Sequence, residues 1–128
     1  MGRYEDLTLT VGVFFKDGTE NTSQVQFKGR LLANGEEVTF ANKDGAVRET
    51  EWEIYQIDDG KYLVCWFHWI SAWGAPSVSD YVILDNFPVY DQTFVGTFLG
   101  DPVWDIPYHI LDRAKAVLEG EEAYHPGI

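Results

Sequence analysis

Apolar residues occupy every second position along several stretches of this chain, and this alternation is the feature that most constrains its fold. Residues 7 to 15 show it clearly, with apolar side chains at Leu7, Leu9, Val11, Val13 and Phe15. A period of two places such side chains on one face of a half-buried β-strand. The segments predicted to form strands are residues 7–15, 24–32, 37–41, 47–57, 61–70, 80–84 and 93–98. Six or seven short strands at this spacing predict an antiparallel sheet.

The C-terminal part of the chain has helical spacing instead, and we predict a helix over residues 106–119. Its apolar stripe consists of Ile106, Ile110, Leu111, Ala114, Val117 and Leu118. Asp105 is a suitable N-cap, Pro107 suits the first turn, and Gly120 is a typical C-terminal stop. We therefore predict an α+β domain over residues 1–120, with a flexible tail at 121–128. The sheet is expected to be a meander or a partly closed barrel, covered by the helix.

Two turns connect the predicted strands most clearly. Asn34-Gly35 is a strong signal for a hairpin between residues 24–32 and 37–41. Asp58-Asp59-Gly60 joins residues 47–57 to residues 61–70 as a central hairpin. The length of this second loop decides which side chains share a face, because side-chain direction alternates along a strand.

The central hairpin has two plausible registers. A two-residue turn places Glu53 opposite Trp66, and we prefer it because it separates polar from apolar residues better. One sheet face then carries Glu51, Glu53, Tyr55, Tyr62, Val64, Trp66 and His68. A three-residue loop shifts the pairing by one residue and places Glu51 and Glu53 on the face of Phe67 and Trp69.

The charge of the chain is strongly acidic, with 21 Asp and Glu against nine Lys and Arg, a net charge of −12. Such a surface repels nucleic acid and anionic membranes and attracts basic partners. Acidity that serves only solubility is the simpler interpretation. Cys65 is the single cysteine, so no internal disulfide is expected. With no secretion signal in the first residues and no long apolar run, we expect a cytoplasmic protein.

No catalytic motif, metal site or cofactor site is predicted. Phosphate-binding loops and nucleophile elbows are missing from the sequence. Glu51, Glu53 and His68 would supply an acid and a base only under a cleft. His109 and Asp112 share a helix face, and we interpret them as solvated residues rather than metal ligands.

The sequence therefore favours a non-enzymatic interaction module that binds a basic protein surface. Its predicted contact residues are Glu51, Glu53, Tyr55, Tyr62, Trp66, His68 and Trp73. Carboxylates and aromatic faces both attract cations, and Trp is frequent in interface hot spots. The alternatives are a phage- or plasmid-type inhibitor that mimics the charge of nucleic acid, a half-barrel that binds a small ligand or acts as a small hydrolase-like enzyme, and a homo-oligomer joined through the aromatic face.

Overall fold

A computed structural model of the 128-residue chain describes residues 4–40, 47–71, 76–88, 94–98, 101–104 and 106–123. Within these residues, seven strands and one helix follow one another. They are β1 (Glu5–Phe14), β2 (Glu20–Phe40), β3 (Val47–Ile57), β4 (Tyr62–Ile70), β5 (Ser77–Leu84), β6 (Phe94–Phe98), β7 (Asp101–Trp104) and α1 (Tyr108–Ala123). None of the described helical residues forms a segment long and apolar enough to cross a membrane.

The main sheet is antiparallel and contains five strands in the order β1-β2-β3-β4-β5. Together with the C-terminal helix it confirms the predicted α+β class. The count of six or seven strands in this sheet was wrong for two reasons. β2 is one strand of 21 residues where two were expected, and β6 pairs with β7 in a separate two-stranded sheet.

The predicted hairpin at Asn34-Gly35 does not form, because β2 continues straight through it. β2 bends instead at a bulge between Leu31 and Ala33, and Gly35 pairs with Trp52 on β3. A Cβ on Gly35 would lie 2.9 Å from the Ile110 side chain. Glycine at this position therefore admits the helix close to the strand, which explains its presence without a turn.

β1 closes the sheet on itself by pairing with β5 at Gly12–Phe14 and Ser77–Ser79. Gly12 has a φ of 137°, and a Cβ there would collide with the backbone of Asn21. Glycine alone suits this position, because it adopts a positive φ without strain and has no Cβ to meet β2.

The sheet has a buried core on each of its two faces. Inside the barrel, Tyr55, Ile57, Leu63 and Cys65 are buried, with Leu7, Leu9, Phe27 and Tyr81 packed around them. On the outer face, α1 covers a second core. Its buried members are Leu32, Ala33, Trp52, Ile54, Val64, Trp66, Ile106, Ile110, Leu111 and Ala114.

The helix begins two residues later and ends four residues later than predicted. The Pro107 carbonyl accepts hydrogen bonds from the backbone N–H groups of Ile110 and Leu111, at 3.0 and 3.1 Å. Asp105, the predicted N-cap, lies outside the described residues. Gly120 does not stop the helix, which continues to Ala123; its φ is not in the left-handed region that a glycine stop requires. Residues 124–128 of the predicted tail lie outside the described residues.

Candidate functional site

Between the hydrogen-bonded residues Ile57 and Lys61, the loop from β3 to β4 has three residues, Asp58 to Gly60. The Ile57 N–H donates to the Lys61 carbonyl at 2.8 Å, and the Gly60 N–H donates to the Ile57 carbonyl at 3.0 Å. Gly60 has a φ of 92°, as the left-handed position of such a loop requires. The preferred two-residue turn was therefore wrong, and the alternative register is the one that forms.

This register pairs Trp52 with Trp66, Glu53 with Cys65, and Glu51 with Phe67. The separation of polar from apolar residues was a poor criterion for choosing the register, because each face of the sheet carries a buried core. The two tryptophans lie together under the helix, with ring centroids 6.3 Å apart.

The predicted contact residues consequently separate onto opposite faces of the sheet. Glu51, Glu53 and Tyr55 lie on the face that lines the barrel, where Glu51 is exposed to solvent, whereas Tyr62, Trp66 and His68 lie on the face that the helix covers. A single aromatic and acidic surface built from both groups does not form. The acid–base set of Glu51, Glu53 and His68 is not assembled either, since the sheet separates His68 from the two carboxylates.

The residues on the helix-covered face have structural contacts. Trp66 is only 2% exposed, so it is closed to a partner. The Nδ1 atom of buried His68 lies 2.6 Å from Thr50 Oγ1. Tyr62 packs edge-to-face on Phe87, with centroids 5.4 Å apart. Trp73, the remaining predicted contact, lies outside the described residues.

The barrel interior opens into a cavity of about 360 Å³ beside the point where β1 meets β5. We call this cavity the acidic pocket. Its lining residues are Asn34, Gly35, Glu36, Glu51, Trp52, Glu53, Cys65, Trp66, Phe67 and Ser79. It combines three carboxylates with an amide, a hydroxyl and the half-buried ring of Phe67.

Glu53 is held in place by two internal donors. The Tyr55 hydroxyl donates to Glu53 Oε2 at 3.0 Å, and the Cys65 thiol donates to Oε1 at 3.3 Å. Burial raises the pKa of both Tyr55 and Cys65, and the nearby Glu53 charge raises each pKa further. Both groups therefore stay protonated at neutral pH, which keeps them as donors and leaves Cys65 unsuited to act as a nucleophile.

Three carboxylates crowd the entrance of the acidic pocket. One oxygen from each of Glu36, Glu49 and Glu51 lies within 4.8 Å of the others, and we call these residues the glutamate trio. Glu36 stands directly opposite Glu51, a like-charge pair that weakens a sheet. A hydrogen bond with Glu49 raises the pKa of Glu36, and repulsion from Glu49 raises it further. No Lys or Arg forms a salt bridge with the trio among the side chains that the structure describes.

Sequence reasoning found Glu51 and Glu53 but missed most of the pocket. Glu49 continues the same period of two, so the pattern of Glu49, Glu51 and Glu53 was available as a signal. Glu36 and Asn34 were missed because that segment was interpreted as a turn.

Comparisons of the chain with protein-family models, with curated proteins and with solved structures found no match. The function is therefore inferred from the chain's own residues.

Proposed function

We propose that this chain is a non-catalytic binding module that captures a basic segment of a partner protein. A Lys or Arg side chain of that segment enters the acidic pocket. The observation that supports this most directly is the glutamate trio, in which three carboxylates face one another without a cation among the described side chains.

Repulsion within the trio favours a cationic ligand. Like charges at this separation destabilise one another, and a cation between them converts repulsion into attraction. The raised pKa of Glu36 has the same cause, since a shared proton partly relieves the repulsion. A bound cation takes over that role from the proton.

The shape of the pocket favours a side chain over a large ligand. Its volume of about 360 Å³ is near the lower end of the range for small-molecule sites. Glu53 lies inside it with a fixed orientation, and the Phe67 ring offers an apolar wall for the stem of a long cationic side chain. The net charge of −12 adds long-range attraction for a basic partner.

The test uses a fluorescein-labelled hexa-arginine peptide, with binding followed by fluorescence anisotropy at low salt. In the double variant Glu36→Gln with Glu51→Gln, two charge contacts are lost, and we expect binding to weaken by about tenfold. The matched control is Glu20→Gln with Asp112→Asn, which removes the same charge from exposed positions outside the pocket. We expect the control to weaken binding by about twofold or less.

Equal weakening in the two double variants would contradict the proposal. Binding would then depend on net charge alone, and the acidity of the chain would serve solubility rather than a specific site.

A further inference from the structure

The barrel is paired at one end only, and this leaves a slit in its wall. β1 pairs with β5 through Gly12–Phe14 and Ser77–Ser79. Among the described residues, no strand pairs with the second edge of β1 over residues 5–11 or with that of β5 over residues 80–84. These two edges border the slit, which begins beyond the paired end where Ser79 lines the acidic pocket, and β6 lies close to β5.

The slit also exposes side chains that point into the barrel. On the continuous wall, Tyr55 and Leu63 are 7% and 0% exposed, although Leu31, opposite Tyr55, is 46% exposed. Beside the slit, Leu7 and Leu9 are only half-buried, and Ile83, which stands opposite Leu63, is 48% exposed. Apolar side chains therefore line an opening whose rim has unpaired backbone groups.

These two features are the requirements for strand addition. Unpaired edge groups supply hydrogen bonds to an extended segment, and alternate side chains of that segment enter the apolar gap. The edge of β5 is partly occupied, because Asp80 Oδ1 accepts a hydrogen bond from the Tyr81 N–H at 2.8 Å. The seven-residue edge of β1 has no such bond among those described.

Charge identifies the occupant. Glu5, Asp6 and Asp80 are exposed beside the slit, and the nearby cations are Lys28, opposite Asp6, and Arg30, which lies beside Glu5 and donates to Gln56. A second copy of the chain also carries a charge of −12 and is repelled, whereas a basic segment is attracted. We propose that the edge of β1 from Glu5 to Val11 binds an extended segment of a basic partner as an added strand.

The test uses synthetic seven-residue peptides in which Lys and Val alternate, and it follows amide hydrogen exchange of the intact chain. We expect the peptide to slow exchange at unpaired amides within residues 5–11 by about tenfold or more. Two N-methylated peptides carry the methyl groups on their odd or even residues. Both keep the charge, but only one leaves free the N–H groups that face β1, so we expect only that one to bind.

Each contrary result overturns the proposal. Equal binding of both N-methylated peptides would show attraction by charge alone. No binding at millimolar peptide, or no slowing of exchange in residues 5–11, would show that the edge does not pair. Slow exchange there without peptide, together with a dimer in sedimentation, would identify a second copy as the occupant. The variant Glu36→Gln with Glu51→Gln should bind the peptide at this edge normally, so failure of the acidic pocket and failure of the slit are distinguishable.

Discussion

Replacing Glu53 with cysteine tests the register of the central hairpin, on which the position of every pocket residue depends. Glu53 stands directly opposite Cys65, and its Oε1 atom already lies 3.3 Å from Cys65 Sγ. Directly opposed residues of antiparallel strands have a Cα separation within the range that a disulfide spans. We therefore expect Glu53→Cys to form a disulfide with Cys65 under mild oxidation.

The loop between these two positions sets the size of the effect. A disulfide from residue 53 to residue 65 closes a loop of about 13 residues, which stabilises a folded chain by about 3 kcal/mol in the loop-entropy model. The reduced form of the same variant is the reference state, so the loss of the Glu53 hydrogen bonds cancels from the comparison.

Mass spectrometry measures the disulfide as the loss of two hydrogens, and urea denaturation with and without reductant measures its stabilisation. Ile54→Cys is the informative partner variant, because the two-residue turn would place residue 54 opposite Cys65. A disulfide in Ile54→Cys but none in Glu53→Cys would refute the register, and the assignment of the glutamates to the barrel interior with it.

Three further results are expected. Ile110→Ala should lower the free energy of unfolding by about 2–5 kcal/mol, because Ile110 is fully buried between the helix and the sheet. Val117, on the same helix, is 38% exposed, and Val117→Ala should lower the free energy of unfolding by about 1 kcal/mol or less in the same urea titration. Gly12→Ala should cost more than about 1 kcal/mol, because alanine strains at a φ of 137° and its Cβ meets the Asn21 backbone; a wild-type urea midpoint would contradict this. Burial in the folded state raises the pKa of Cys65, so above about pH 9 the thiol ionises only in the unfolded chain. The free energy of unfolding should therefore fall as pH rises, and it should fall less steeply in Cys65→Ser between about pH 9 and 10.5.

Much of the secondary structure was available from the sequence. The central hairpin was predicted at residues 47–57 and 61–70, and it forms at Val47–Ile57 and Tyr62–Ile70. Gly60, the glycine of the predicted connecting loop, has a φ of 92° in that loop. These predictions succeeded because alternation and turn glycines are local properties that neighbouring elements reinforce.

The register and the pocket depended on information that lies far away in the chain. The helix is distant in sequence from the hairpin, and its contact with Trp52 and Trp66 makes an apolar outer face favourable. A criterion that assumes one buried face and one solvent-exposed face cannot detect that second core. Gly35 was misinterpreted for the same reason, since its role is contact with Ile110 rather than local chain reversal.

Successive residues of β2 face opposite sides of the sheet, so this strand lies between the acidic pocket and the helix. Asn34 and Glu36 line the acidic pocket, while Gly35 between them lies against the helix residues Ile110 and Arg113. A displacement of the helix along this contact would shift the backbone of Gly35 and with it the positions of Asn34 and Glu36. Ligands of the helix and of the acidic pocket would influence each other only if they favour different positions of this backbone, and the effect would then be equal in both directions.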